Sequence, residues 1–284
     1  MKLTSKLLQI DPKPTQRKII SFIKDYVDKT KAKGIVLGVS GGVDSAATAA
    51  LSTIALGRKK VLALYMPEKE TYKKADHKLV KLLADQFRFN LKHVDLTNTL
   101  KTLYNTIPDY SPENKLSRGN LKARTRMLIW YYYANNQNLI VAGSSDKSET
   151  MIGYYTKWGD AAADIAPIMD LYKTQVRQLA LHLNIPPTIV KKPSTPALWP
   201  NQTAEKEIGL KYEKLDLILY GLEHFMGTKE IAKQLNLTIK TVTTIKKRWL
   251  QTEHKRKMPL TTKLEYRTVN ADFRFARTTE IEQE

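Results

Sequence analysis

Apolar residues recur along this chain in two alternating rhythms. Ile19, Ile20, Ile23 and Val27 fall on one stripe at helical spacing, which predicts an amphipathic helix over Thr15–Lys31. Gly34 stops it, and Ile35–Ser40 reads as a short buried strand. Gly41-Gly42 turns the chain into a second helix, Asp44–Leu56, whose small residues permit close packing. The alternation continues with strand Val61–Pro67, helix Ala75–Phe87, strand Leu91–Thr97, helix Asn120–Ala134, strand Leu139–Ser145 and helix Leu171–Leu183. Near-continuous apolar strands separated by such helices predict an α/β fold, a doubly wound, Rossmann-like parallel sheet covered on both faces. Ligands of such sheets gather beyond the carboxyl ends of the strands.

Past Asn184 the texture changes. Five of the twelve prolines fall between Pro186 and Pro200, and no regular structure is expected there. Helices over Glu213–Phe225, Lys229–Leu235 and Thr241–Thr252 form a C-terminal helical extension. The expected organisation is one domain over 1–260, with a helical hairpin at about 213–257 packed on it and a charged surface tail over 261–284. The stretch Lys229–Ile245 has the apolar spacing of a helix-turn-helix, and residues 240–257 carry seven Lys/Arg against Glu253 alone, a net +6. It reads as a DNA-binding module or as a hairpin using the same apolar positions for packing. The second reading is favoured, and specific nucleic-acid binding is not expected.

Composition narrows the classes further. With 42% hydrophobic and 26% charged residues, the 284-residue chain has the balance of a folded globular protein. Its longest apolar run, Met127–Ala134, is far short of the ~20 residues needed to cross a bilayer. The opening residues lack a signal-peptide core, so a cytoplasmic protein is expected. There is no cysteine, which excludes disulfides, iron–sulfur clusters and thiolate nucleophiles. The net charge of +19 favours anionic partners such as nucleotides, nucleic acid or acidic surfaces.

The sharpest chemistry lies at the end of the first strand, in Gly38-Val39-Ser40-Gly41-Gly42-Val43-Asp44-Ser45. Glycines let the backbone approach a polyphosphate, and a following helix N-terminus points free N–H groups at it. The Ser40 and Ser45 hydroxyls can donate to phosphate oxygens. Asp44 would repel a bare phosphate, so its natural task is to hold Mg²⁺ against the anion. The plainer reading is a strand–turn–helix connection with Asp44 and Ser45 capping the helix. Neither a Walker lysine nor a GxGxxG pattern is present.

This loop resembles the SGGxDS loop of the N-type ATP pyrophosphatases, which have the adenine nucleotide alpha hydrolase-like fold; by itself it leaves other adenylating enzymes of that superfamily, such as the tRNA-modifying ones, as the alternative. Downstream, Arg118–Met127, Ala142–Glu149, Gly153–Asp160 and Glu253–Arg256 follow in order, and together they are similar to ammonia-dependent NAD synthetases. The resemblance runs from about Thr15 to Pro259. It implies a ligase that amidates deamido-NAD with ammonia, using ATP and Mg²⁺ and passing through an acyl adenylate. It also implies a homodimer, for which the aromatic run Trp130–Tyr133 supplies a candidate face. By resemblance, Ser144, Lys173 and Thr195, with Ser194 as the alternative to Thr195, join the loop in binding ATP. Glu149 joins Asp44 at the metal, and Arg124, Lys157, Asp164, His254 and Lys255 bind deamido-NAD. Ser40, Asp44 and Asp164 are the expected catalytic residues, with Asp164 taking a proton from the incoming ammonium. Without the family frame, Lys122, Arg124 and Arg126 read as a basic cluster or a solvated face, and the lone lysines as surface charges. Without a cysteine for a glutaminase, free ammonia is the expected nitrogen donor.

Overall fold

The computed structural model describes residues 1–268. Four strands, β1 (Gly34–Gly38), β2 (Val61–Tyr65), β3 (Asn90–His93) and β4 (Leu139–Val141), form one parallel sheet in the order β3-β2-β1-β4. Strand geometry sends successive side chains to opposite faces, and here both faces are buried. Ile35, Leu37, Val61, Ala63 and Tyr65 point into one core, while Val36, Leu62 and Leu64 point into another. Helices α1 (Pro12–Thr30), α2 (Val43–Leu56), α3 (Lys74–Phe87) and α7 (Lys173–His182) fill the first layer. Helices α4 (Thr97–Thr106) and α5 (Lys115–Gln137) fill the second. The doubly wound expectation is met.

Element limits shift where capping decides them. Helix α1 begins earlier than expected because the Asp11 carboxylate caps Lys13 N–H and Pro12 suits the first helical position. Helix α5 is longer at both ends, because Asn114 caps Ser117 N–H and Gly119 is absorbed in the helix. Strand β4 stops at Val141, so Ala142–Ser145 is loop rather than strand. The proline-rich stretch is not wholly irregular, since Pro186 and Pro187 start a one-turn helix α8 (Pro187–Val190). The short helices α6 (Lys147–Ile152) and α9 (Ala204–Ile208) carry no periodicity a sequence pattern reveals.

The extension consists of α10 (Tyr212–Glu223), α11 (Thr228–Leu235) and α12 (Ile239–Gln251). Its apolar positions Ile231, Ala232, Leu235, Val242 and Ile245 share one core with Leu215, Ile218 and Leu219 of α10 and Ile152 of α6. The pattern read as helix-turn-helix spacing is thus used in packing within the extension and against α6. Residues 260–268 are largely exposed and lack regular structure; the remainder of the expected tail lies outside the described residues.

Candidate active site

The order β3-β2-β1-β4 places the reversal of connection between β1 and β4, so the loops leaving those two strands diverge and open a crevice. A cavity of about 670 Å³ occupies it. One wall is the loop after β1. Gly41 holds φ at +75°, where a side chain would be strained and its Cβ would lie 3.1 Å from Asp76 O. Ser45 Oγ accepts from Ser40 N–H at 3.2 Å and donates to Gly42 O at 3.2 Å, so the hydroxyls brace the loop around the start of α2. Helix α2 begins at Val43 with Gly42 as its cap, and no side chain caps it. The capping explanation for Asp44 therefore falls away.

Asp44 instead faces Lys173. The Lys173 Nζ lies 2.5 Å from Asp44 Oδ2, 2.8 Å from Asp146 Oδ2 and 3.0 Å from Glu149 Oε1. Local structure explains the pairing of the last two acids. Asp146 caps α6, accepting Glu149 N–H at 2.8 Å, and its third helical residue is Glu149, so both carboxylates leave one helix start together. Lys173 is fully buried. Burial works against its charge, but Asp146, Asp44 and Glu149 outweigh it and raise its pKa well above the usual value. Glu149 is pushed up to about 8, chiefly by burial and against the pull of Lys173. Burial likewise raises Asp146.

Asp44, Asp146 and Glu149 each offer an oxygen within 4.8 Å of the others. Asp44 Oδ1 is buried with no hydrogen-bond partner. Hard carboxylate oxygens around one point, one of them unsatisfied, fit a magnesium ion. Asp146 was not among the expected ligands, although an acid three residues before Glu149 at a helix start is a readable signal.

The opposite wall comes from α5 and the segment after α6. Arg124, exposed, donates from Nε and Nη2 to Lys157 O at 3.3 and 3.2 Å and ties the two together. The expected basic cluster does not exist as one. Lys122 is buried and paired to Glu68 at 2.9 Å and Glu70 at 2.7 Å, while Arg126 lines the cavity but donates to Met66 O, and Arg124 alone of the three is exposed. Lys255 Nζ is spent on Gly153 O and Tyr155 O, both at 2.7 Å, which holds His254 at the rim. Ser144 sits in the loop that follows β4, and Ser194 and Thr195 cross the mouth. Thr195 Oγ1 accepts from Ala197 N–H at 3.0 Å, whereas Ser194 Oγ is buried without a partner.

The cavity wall includes every expected site residue except Gly41, Lys173 and Asp164. Gly41 lies just behind the loop's lining residues and Lys173 beneath the carboxylates. Asp164 is elsewhere: its carboxylate accepts from Val141 N–H at 2.8 Å and from the Tyr131 hydroxyl at 3.2 Å. In the same segment the carboxylate that does face the cavity is Asp160, four residues earlier, beside Asp44, Asp76, Glu149 and Glu207 from other segments. It accepts Thr156 N–H at 2.8 Å, and burial raises its pKa against the pull of Lys255 and Arg126.

The sequence pattern of the NAD synthase family matches residues 15–259. NH(3)-dependent NAD(+) synthetases of Hyperthermus butylicus and Methanosarcina acetivorans are 44% and 41% identical to it, over 91% and 88% of this chain and 94% and 98% of theirs. Among solved structures, NMN synthetase from Francisella tularensis is similar at a TM-score of 0.80 and 30% identity, over 89% of this chain and 99% of that one. NH3-dependent NAD synthetase from Campylobacter jejuni follows at a TM-score of 0.75 and 30% identity, over 89% and 100%.

Proposed function

The chain belongs to the NAD synthase family, ligases that convert deamido-NAD, ATP and ammonia to NAD, and from that premise we propose how its residues divide the work. A carboxylate is a poor acceptor for a nitrogen nucleophile. The nicotinate carboxylate oxygen therefore attacks the α-phosphate of ATP; the bond to pyrophosphate breaks, and an acyl adenylate remains. Ammonia then attacks the acyl carbon, the bond to AMP breaks, and one proton leaves the nitrogen. The loop Gly38–Ser45 receives the pyrophosphate portion, with the N-terminus of α2 and the Ser40 and Ser45 hydroxyls as donors. Asp44, Asp146 and Glu149 would hold Mg²⁺, which when bound supplies charge neutralisation at the phosphates. Lys173, ion-paired to the same carboxylates, adds a fixed positive charge beside that position. Ser144 and Ser194 or Thr195 line the nucleotide side, and Arg124, Lys157, His254 and Lys255 the deamido-NAD side.

We assign the proton-accepting role to Asp160, which faces the cavity, in place of Asp164. A carboxylate whose pKa is raised by burial is the better base toward an ammonium ion. Asp164 stands beside Tyr131 on α5, a helix that also exposes Leu128 and Tyr132. If two protomers pair through that helix, Asp164 is placed to touch deamido-NAD held between them. Specific nucleic-acid binding is not part of this reading.

The observation that carries the proposal is the meeting of Asp44, Asp146 and Glu149 around Lys173 beside the glycine loop. The test is to incubate the purified protein with ATP, Mg²⁺, deamido-NAD and ammonium and to measure NAD, AMP and pyrophosphate. Asp44→Ala should stay folded, since no cap is lost, yet make NAD slower by several kcal/mol of transition-state stabilisation, on the order of a thousandfold or more. A folded Asp44→Ala protein with near-normal turnover would refute the reading. Glutamine as sole nitrogen source should give no NAD.

A further inference from the structure

The C-terminal extension has so far only a packing role, yet its first helix reaches the catalytic centre from behind. Tyr212 is fully buried on α10, and its hydroxyl donates to Glu149 Oε1 at 3.2 Å. Its ring faces Lys173 Nζ at 5.2 Å from the centroid. One turn later on the same face of α10, Asp216 is also fully buried. Asp216 Oδ1 accepts from Ser148 Oγ at 2.6 Å, and Oδ2 accepts from Thr174 N–H at 2.9 Å. Ser148 Oγ accepts in turn from Lys173 N–H at 2.9 Å. Two residues of one helix thus grip the starts of both α6 and α7. Those starts are the ones that present Asp146, Glu149 and Lys173 to Asp44. Neither Tyr212 nor Asp216 lines the cavity, and both act through the residues they hold.

We propose that Tyr212 and Asp216 are positioning residues of the catalytic centre, through which the C-terminal extension holds Glu149 and Lys173 in the arrangement that binds the metal and the nucleotide phosphates. This rests on the synthetase reading above. Each ligand carboxylate of a metal site needs an outer partner to fix its orientation, and loss of such a partner typically weakens metal affinity or activity about 10–100-fold. Tyr212 is that partner for Glu149. Asp216 does the equivalent for the backbone that carries Lys173.

The experiment compares Tyr212→Phe and Asp216→Asn with the wild-type chain, and uses Phe225→Ser, at a fully solvent-facing position of the same extension, as a control. Binding of Mn²⁺ in the presence of ATP is read by electron paramagnetic resonance, alongside kcat, the KM for deamido-NAD and the melting temperature. Wild-type Mn²⁺ binding and NAD formation test the synthetase reading by themselves; the variants, compared with wild type, test the clamp. Tyr212→Phe keeps the ring and should keep the melting temperature. It should bind Mn²⁺ about 10–100-fold more weakly and lose kcat by a similar factor, with the KM for deamido-NAD unchanged. Asp216→Asn should show the same split, and Phe225→Ser no change. Mn²⁺ affinity and kcat within twofold of wild type in both variants would overturn the proposal. So would a Tyr212→Phe protein that loses its fold, or one whose KM rises as kcat falls, because those outcomes belong to a residue that merely packs.

Discussion

Replacing Lys173 by methionine isolates the electrostatics of the site, because methionine nearly fills the same volume without the charge. The wild-type ammonium is fully buried and lies 2.5–3.0 Å from three carboxylates. Removing one member of a buried ion pair costs about 3–5 kcal/mol, since the remaining charge stays buried without compensation. Three acids remain here, so the loss should reach the upper part of that range in alkaline solution. Acid should relieve it. In the wild type, Glu149 titrates at about 8 when folded against an ordinary 4.5, so between those values the folded state binds more protons than the unfolded one. Stability therefore falls as pH rises through that window. Without Lys173 the carboxylates hold a proton to still higher pH, and the deficit relative to wild type grows with pH. Urea unfolding followed by circular dichroism, without divalent ions, at about pH 6 and about pH 9 measures it. A deficit below about 1 kcal/mol at both values, or a larger one in acid, would refute the argument.

Asp160→Asn should retain deamido-NAD-dependent exchange of pyrophosphate into ATP but lose NAD formation by roughly 10²–10⁴-fold, whereas Asp164→Asn should chiefly raise the KM for deamido-NAD; the opposite pattern would restore Asp164 as the proton acceptor. Asp216 titrates at about 7 when folded against an ordinary 3.8, pushed up by burial, so the folded state holds the extra proton and stability falls as pH rises between those values. Asp216→Asn should flatten that slope in thermal melts, and an unchanged slope would count against the assignment. A Cβ on Gly34 would lie 2.1 Å from Lys60 O, a backbone atom that cannot swing away, so Gly34→Ala should lose at least about 1–3 kcal/mol in urea unfolding. A wild-type midpoint would mean the β1–β2 contact is looser than described.

The sheet was legible because β1 and β2 are apolar at consecutive positions, which only a strand buried on both faces requires. The glycine loop was legible because its chemistry is contiguous. What escaped depended on partners distant in sequence. Nothing local distinguishes Asp216, flanked by Leu215 and Leu217, from a surface acid, because its partner Ser148 is 68 residues away. Asp160 and Asp164 stand four apart in one irregular segment, and only the path of the chain between α6 and α7 decides which faces the cavity. Lys122 read as part of a basic stretch, yet it is buried against Glu68 and Glu70, more than 50 residues earlier. Asp146 is the exception, since its cap-then-acid spacing with Glu149 is local and stands in the sequence.

The sheet order has a consequence for how the protein is made. Strand β1 lies between β2 and β4, pairing Gly34 with Leu139, Ile35 with Ile140 and Val36 with Val141. A chain emerging from the ribosome can pair β1 with β2 early, but the other edge of β1 waits for a strand synthesised about a hundred residues later. At common elongation rates that is roughly 5–20 seconds. Throughout that interval one edge of a buried, apolar strand offers unpaired backbone groups to any neighbour, the circumstance in which nascent sheets join the wrong chain. The crevice that serves catalysis opens between those same two strands, so the gap in the sheet order that creates the binding site also sets the most exposed moment of its biosynthesis.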